Sequence, residues 1–267
     1  MYFDAHVHSV ASPDSEMNAK DAIATLATKG LGVIFTEHVD YVLSSERDLN
    51  ATDFFVNGKQ EFVYDFEIYP ATYQSLRSDS VLLGLEIGLT AAYATKNKKT
   101  CMGDYDYILG SIHSVDGMDI YFDLQNGIDK HFISRYLTYS REMVELCGFF
   151  DTLGHIDYVI RYDANARKWY RYEYFAQEFD ALFKALIERD IALEMNTALF
   201  DKIDDYEKIL TPIYSRFRKL GGKYCTIGSD AHCIQDLGRH FDKAKNVAVA
   251  AGLEVVYYRR RKCFLCE

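Results

Sequence analysis

Six of the eight histidines in the 267-residue chain sit in short motifs shared with carboxylates: His6-Val7-His8, Glu37-His38, His113, His155 and Asp230-Ala231-His232. With Glu86 these residues mix neutral imidazole and carboxylate, a donor set that suits zinc, manganese or iron and is too rich in nitrogen for calcium or magnesium. His6 and His8 are two apart, so on a strand both point one way, and Phe3, Ala5 and Val7 are expected on the opposite side against covering helices. A carboxylate can bridge two cations ~3.5 to 4 Å apart, and such a pair stabilises both the attacking and the leaving oxygen of an in-line displacement. Glu86 is the expected bridge. Glu86 and Asp230 have an alternative role, orienting the histidines from behind. Asp14 follows Ser-Pro, where local signals favour a turn or a helix cap. His131 and His240 lie outside these motifs and read as ordinary surface or helix-end residues.

Something must bring residues more than 200 positions apart into one place. Seven short apolar runs read as buried strands: Tyr2 to His8, Val33 to His38, Val81 to Ile87, Tyr107 to His113, Thr152 to His155, Ala192 to Asn196 and Tyr224 to Asp230. The candidate ligands fall at their C-terminal ends, and in a βα barrel those ends converge on one face. Helical spacing links Phe175 to Ile187, Ile209 to Phe217 and Phe241 to Ala251, with Gly30 and Gly252 placed as C-terminal caps. The alternation predicts an α/β fold, a TIM-like (β/α)7 barrel formed by residues 1–267 as a single domain. No G-x-G-x-x-G follows the first strand and no G-x-x-x-x-G-K-[ST] occurs, so a nucleotide-binding loop has no support. Tyr41 to Asp79 is long for a simple connection and is expected to be an elaborated loop with helix covering the site.

The composition, 49% hydrophobic and 26% charged, is that of a packed globular chain. A formal net charge of -10 argues against nucleic acid or anionic membrane as partner, and the basic run Arg259 to Lys262 reads as a solvated face. No apolar run approaches the ~18 residues of a membrane span, and the opening Met1-Tyr2-Phe3-Asp4 has no basic leader, so a cytoplasmic location is expected. In that setting the six cysteines stay reduced. Cys263 and Cys266 form an isolated C-x-x-C without the second ligand pair of a structural zinc site. Oligomeric state is not legible.

His6-Val7-His8, Thr36-Glu37-His38, Gly84-Leu85-Glu86, Gly110-Ser111-Ile112-His113, Gly154-His155 and Gly228-Ser229-Asp230-Ala231-His232 together closely resemble the polymerase and histidinol phosphatase (PHP) family. The chain is most similar to its stand-alone histidinol-phosphate phosphatases in length, in Leu193-Glu194-Met195-Asn196-Thr197 and in Leu220-Gly221-Gly222 with the Asp230 motif. The resemblance implies a distorted (β/α)7 barrel and two or three divalent ions. His6, His8, Glu86 and Asp230 would hold one, Glu86, His113 and His155 a second, and Asp14, His38 and His232 a third. It thereby replaces the capping role for Asp14, where some members carry His. The family's phosphate-clamping arginine matches Arg161. A further arginine often follows the Asn-Thr of strand six; this chain reads Ala198-Leu199-Phe200-Asp201-Lys202, which leaves the second phosphate contact open.

The implied activity is hydrolysis of L-histidinol phosphate in histidine biosynthesis. Cations would lower the pKa of water toward neutrality for in-line attack, Glu86 and Asp230 would serve the catalytic centre, and Asp230 or a metal would assist the departing oxygen. Asp116 and Asp119 are candidate partners for the substrate's amine and imidazole. The rival readings are another phosphate ester, phosphotyrosine or a nucleotide, and amide or ring hydrolysis of the amidohydrolase kind. The last expects a strand-four lysine, where this chain has none, and a non-catalytic metal-stabilised module would not need so full a ligand set.

Overall fold

A strand covered on both faces needs apolar side chains at successive positions, and Val81–Gly88, buried at every residue, meets that demand. It is the third strand of the main sheet in the computed structural model of the chain, in which residues 1–41, 68–122 and 127–267 are described. Most of the expected covering loop therefore lies outside the described residues.

In chain order the elements are β1 (Tyr2–Val7), α1 (Ala19–Thr28), β2 (Leu31–Val39), α2 (Ile68–Tyr73), β3 (Val81–Gly88), α3 (Ala94–Thr100), β4 (Tyr107–Ser111), a small hairpin of β5 (Ser114–Val115) and β6 (Met118–Asp119), and α4 (Lys130–Cys147). There follow β7 (Thr152–Leu153), α5 (Ala176–Ile187), β8 (Ala192–Asn196), α6 (Tyr206–Leu220), β9 (Tyr224–Gly228), α7 (Phe241–Ala251), β10 (Glu254–Arg259) and β11 (Lys262–Leu265). All seven expected strands are present. They pair in parallel in the order β1-β2-β3-β4-β7-β8-β9, each beside the next in sequence, which is the winding of a barrel and not that of an open sheet with a switch point.

The ladder does not run round the full circle. It continues from β9 to β10 and β11, so β1 and β9 meet only near their C-terminal ends. There Asp230 N–H donates to His6 O at 2.8 Å and His8 N–H to Ala231 O at 3.0 Å. Lower down, the Asp4 carboxylate takes over the role of a backbone partner. It accepts from Ser229 N–H at 2.8 Å, the Ser229 hydroxyl at 2.6 Å and Gly238 N–H at 2.8 Å. Burial pushes the Asp4 pKa up to about 6 against those bonds. At the base β10 occupies the place beside β9, pairing Glu254 with Tyr224 and Val255 with Cys225.

The facing expected for β1 needs correction. Phe3 and Ala5 pack inside the cylinder with Ile34, Leu82, Tyr107, Leu109, Ala192, Val256 and Tyr258, on the same side as His6 and His8; Val7 alone turns to the helices. Between the Asp4–Val33 and Val7–Phe35 pairs β1 advances three residues while β2 advances two. That extra residue is a β-bulge, and it re-aims every side chain beyond it.

The Arg259 to Lys262 run also departs from expectation. Arg260 and Arg261 form the tight turn between β10 and β11 with φ of +50° and +61°. Arg259 donates to Asp79 Oδ1 at 2.9 Å, and Arg261 to Asp151 Oδ2 at 2.5 Å and Phe149 O at 2.7 Å. The run ties the hairpin across the base of the barrel. None of the six cysteines is paired with another. No helix among the described residues is long and apolar enough to cross a membrane.

Candidate metal centre

The strand ends deliver their polar residues to one mouth. Glu86, at 1% exposure, is the hub. Its Oε1 lies 2.8 Å from His155 Nε2 and 3.2 Å from His113 Nε2. Its Oε2 lies 2.8 Å from His38 Nδ1, 3.3 Å from His6 Nε2 and 3.5 Å from His8 Nε2. Asp230 takes the left-handed φ of +56° at the turn after β9, a conformation Asp tolerates, and puts Oδ1 3.6 Å from both His6 Nε2 and His8 Nε2. Asp14 does not cap α1; Asn18 does, accepting from Lys20 N–H at 2.9 Å. Asp14 Oδ2 instead stands 3.2 Å from His38 Nε2 and 3.1 Å from His232 Nε2.

All nine candidate ligands are thus brought together, in overlapping groups. Donor atoms of Glu86, His113 and His155 lie within 4.8 Å of one another, as do those of His6, His8 and Glu86, of His6, His155 and Asp230, and of His8, His38 and His232. The last two groups cut across the expected partition, His155 lying also with His6 and Asp230, and the His8 ring stacking between His38 and His232 at 4.1 and 4.3 Å. His131 and His240 stand apart. His131 is an exposed residue in the first turn of α4, and His240 precedes α7 with its ring 2.5 Å from Asp201.

The arrangement fits cations. His6 Nε2 and His8 Nε2 are buried without a hydrogen-bond partner, though each faces carboxylate oxygens. Lone pairs aimed at anions in a low-dielectric site are repulsive unless positive charge lies between them. The titration behaviour has the same cause. Burial opposes charge on His6, yet Glu194, Asp230 and Glu86 carry its pKa well above the ordinary range. His113 is pushed up to about 9, burial being outweighed by Glu86 and Asp40. Burial likewise opposes charge on Glu86, but His6, His38 and His113 hold it well below the usual carboxylate range. His8 runs the other way, driven well down by burial and by His38 and His232. The cluster needs cationic charge, which protons or divalent ions can supply.

Sequence reasoning gave no role to the groups that hold the histidines. Glu194 Oε1 is 2.6 Å from His6 Nδ1, and Asp40 Oδ2 is 3.0 Å from His113 Nδ1. A Cβ on Gly88 would come within 2.3 Å of Asp40, so the glycine leaves that carboxylate its place. The Ser12 hydroxyl donates to Glu37 Oε2 at 2.5 Å and receives His38 N–H at 3.0 Å, with His8 Nδ1 3.2 Å away. Inward parity on β8 was the available signal for Glu194; Ser12 and Asp40, in connections, carried none. Buried tyrosines secure the segment after the two-residue β7. Tyr136 donates to His155 O at 3.3 Å, Tyr170 to Ile156 O at 2.9 Å, and Tyr206 to the Asp157 carboxylate.

Above the cluster opens a cavity of about 330 Å³, lined by Asp14, His38, Glu86, His155, Asp230 and His232 together with Asp119, Tyr121, Phe122, Tyr158 and Tyr162, the Tyr158 ring lying 4.8 Å from that of His155. Arg161 also lines it. Its guanidinium pairs with the Asp230 carboxylate and donates to Asn196 Oδ1 at 3.2 Å. Lys202 is close enough to Arg161, Arg167 and Arg239 for their charges, after burial, to lower its pKa. Asp119 is buried in the wall, whereas Asp116 is on the surface, paired with Arg135 at 2.7 Å. Asp116 is therefore set aside as a substrate contact.

Known proteins resemble this chain over nearly its whole length. The PHP domain family matches residues 4–198. A probable histidinol-phosphatase of Clostridium acetobutylicum is 34% identical over 264 residues, spanning 98% of each chain. The histidinol-phosphatase of Lactococcus lactis subsp. lactis is 29% identical, over 93% of this chain and 91% of that one. The crystal structure of the Lactococcus lactis histidinol phosphate phosphatase, complexed with zinc, L-histidinol and phosphate, shares the fold with a TM-score of 0.78 at 23% identity over 98% of both chains.

Proposed function

The chain belongs to the PHP domain family, and from that premise we propose that residues 1–267 form one metal-dependent phosphomonoesterase domain that hydrolyses L-histidinol phosphate to L-histidinol and phosphate. The observation that carries this reading is the cluster of imidazoles facing Glu86 and Asp230, with the buried His6 Nε2 and His8 Nε2 lacking a hydrogen-bond partner. His6, His8, Glu86 and Asp230 would hold one ion, Glu86, His113 and His155 a second, and Asp14, His38 and His232 a third. Bound there, two or three divalent cations, zinc, manganese or iron, supply Lewis acidity and make water a competent nucleophile at neutral pH.

The chain's own residues do the rest. Arg161 offers a fork of N–H donors at the cavity wall, the geometry that binds phosphoryl oxygens in pairs; Asp230 and Asn196 hold that fork before substrate arrives. Lys202 adds positive charge beside it. Asp230, at the junction of Arg161 and the histidines, would take up the proton that the attacking water gives up and pass it to the departing alkoxide. The aromatic rings of the cavity lining and the buried Asp119 suit a leaving group bearing an imidazole and an amine. These features, and the two histidinol-phosphatases similar along nearly their whole length, favour histidinol phosphate over other esters. We assign the activity to histidine biosynthesis in the cytoplasm.

The same aromatic wall would accept a phosphotyrosine ring, so the test is a panel. Phosphate release from histidinol phosphate, phosphotyrosine and nucleoside monophosphates is measured with metal-loaded and chelator-stripped protein. The expected result is a preference of at least about tenfold in kcat/KM, or ~1.4 kcal/mol, for histidinol phosphate and loss of turnover on stripping. Turnover that persists after complete metal removal refutes the mechanism; preference for another ester refutes the substrate.

A further inference from the structure

Glu194 sits on β8 beneath the cluster, 1% exposed and outside the cavity lining. Three donors surround it: His6 Nδ1 lies 2.6 Å from Oε1, while Oε2 receives His155 N–H at 2.6 Å and lies 3.4 Å from Asn196 Nδ2. One carboxylate thus ties β1, β8 and the end of β7 together. The neighbouring strand leaves room for it. A Cβ on Gly228 would stand 2.3 Å from His6 Cβ and 2.5 Å from Glu194 Oε1, so only glycine allows the pair to meet there.

A carboxylate can only accept, so the ring proton of neutral His6 belongs on Nδ1. Nε2 then keeps its lone pair, and it is this nitrogen that faces Glu86 Oε2 at 3.3 Å and Asp230 Oδ1 at 3.6 Å. Imidazole binds metal through the nitrogen without hydrogen, and which nitrogen that is depends on the bond made by the other. We propose that Glu194 is a positioning residue that fixes His6 as the Nδ1–H tautomer and so commits its Nε2 to the metal centre. The inference rests on the metal-binding reading above. Glu194 touches neither substrate nor reacting atoms; it acts through His6 and, through the His155 amide, on the end of β7.

Glu194→Gln is the informative change, because it keeps shape while removing the acceptor-only character together with the negative charge, and the NMR readout separates the tautomer from the charge. The oxygen of the new amide is needed by His155 N–H, so the NH2 faces His6 Nδ1 and donates to it. The ring proton moves to Nε2, with no change in the number of protons. Zinc affinity, measured by competition with a chromophoric chelator, is expected to fall by about 10- to 100-fold, with the far-UV circular dichroism of the parent retained. In the zinc-loaded parent, two-bond proton–nitrogen NMR correlations are expected to show the His6 hydrogen on Nδ1. A His6 ring without hydrogen on Nδ1 overturns the proposal whether or not the variant folds, and so does zinc affinity in Glu194→Gln within twofold of the parent. A parent that binds no zinc overturns the metal reading itself, and this inference with it.

Discussion

The two ends of the barrel interior bury side chains of opposite kinds. At the base, Phe3, Ala5, Ile34, Leu82, Tyr107, Leu109, Ala192, Val256 and Tyr258 form an apolar plug, and Tyr107 stacks on Tyr258 with centroids 5.5 Å apart. At the mouth, about as deeply buried, are His6, His8, Glu86, His155, Glu194 and Asp230. The same strands supply both layers: Leu82 and Glu86 lie on one face of β3, as do Ala192 and Glu194 on β8. Burial stabilises the first layer at roughly 25 cal/mol per Å² of apolar surface and destabilises the second wherever charge is uncompensated. The contrast separates what holds the barrel from what it is for. Interior layers of one strand set can therefore be altered independently, provided each change stays within its own layer.

The largest expected effect is at the mouth. Glu86→Gln removes the carboxylate that five histidines approach, and kcat/KM for histidinol phosphate should fall by at least about 10³-fold, or ~4 kcal/mol. Metal content measured after dialysis should fall as well. The urea midpoint of the chelator-treated protein should also fall, since the imidazoles lose the buried counter-charge of Glu86, but the chain should remain folded. A variant that keeps its turnover, or that unfolds without metal, would break the separation of the two layers.

At the base the outcomes should reverse. Leu82→Ala leaves a cavity under the site and should lower the unfolding free energy by about 2–5 kcal/mol, read from urea denaturation. Turnover per folded molecule at low temperature should stay within a factor of two, because Leu82 and Glu86 are separated by a full layer. Loss of kcat without loss of stability would mean that the plug transmits geometry to the mouth.

How much of this was legible follows the same division. The mouth could be read because ionisable residues at strand ends are rare and patterned, and the seven strands because their apolar runs are short and bounded. The direction of Phe3 and Ala5 could not, since strict alternation has no term for the bulge between Asp4 and Val7. The β10–β11 hairpin was missed for a chemical reason: its turn is Arg260-Arg261, both with positive φ, where Asn or Gly would have announced it. Helix α4 does carry a periodic face, with Ile133, Tyr136, Leu137, Ser140, Met143, Val144 and Cys147 buried, but polar residues and tyrosines dilute it. Glu194 was visible as a residue and not as a role, because an orienting carboxylate is defined by the ring it meets, here across β9 and 188 positions away in sequence.

The outer helical layer supplies the smallest effect and a baseline for the other two. Asp180 of α5 accepts from Arg216 of α6 at 2.8 and 2.5 Å and from the Tyr172 hydroxyl at 3.0 Å, and the Arg216 bonds, outweighing partial burial, lower its pKa from 3.8. Both side chains are partly exposed, 21% and 34%, so solvent screens the pair and Asp180→Asn should cost about 1 kcal/mol or less. A depressed carboxylate contributes stability above its unfolded pKa and loses it as pH falls through the folded value. The difference between parent and variant in urea midpoints should therefore be constant from pH 7 down to about 4 and narrow only below that. Turnover should not change. If Asp180→Asn lowered kcat as much as it lowered stability, the helices would be coupled to the mouth, and the layers would not be separable after all.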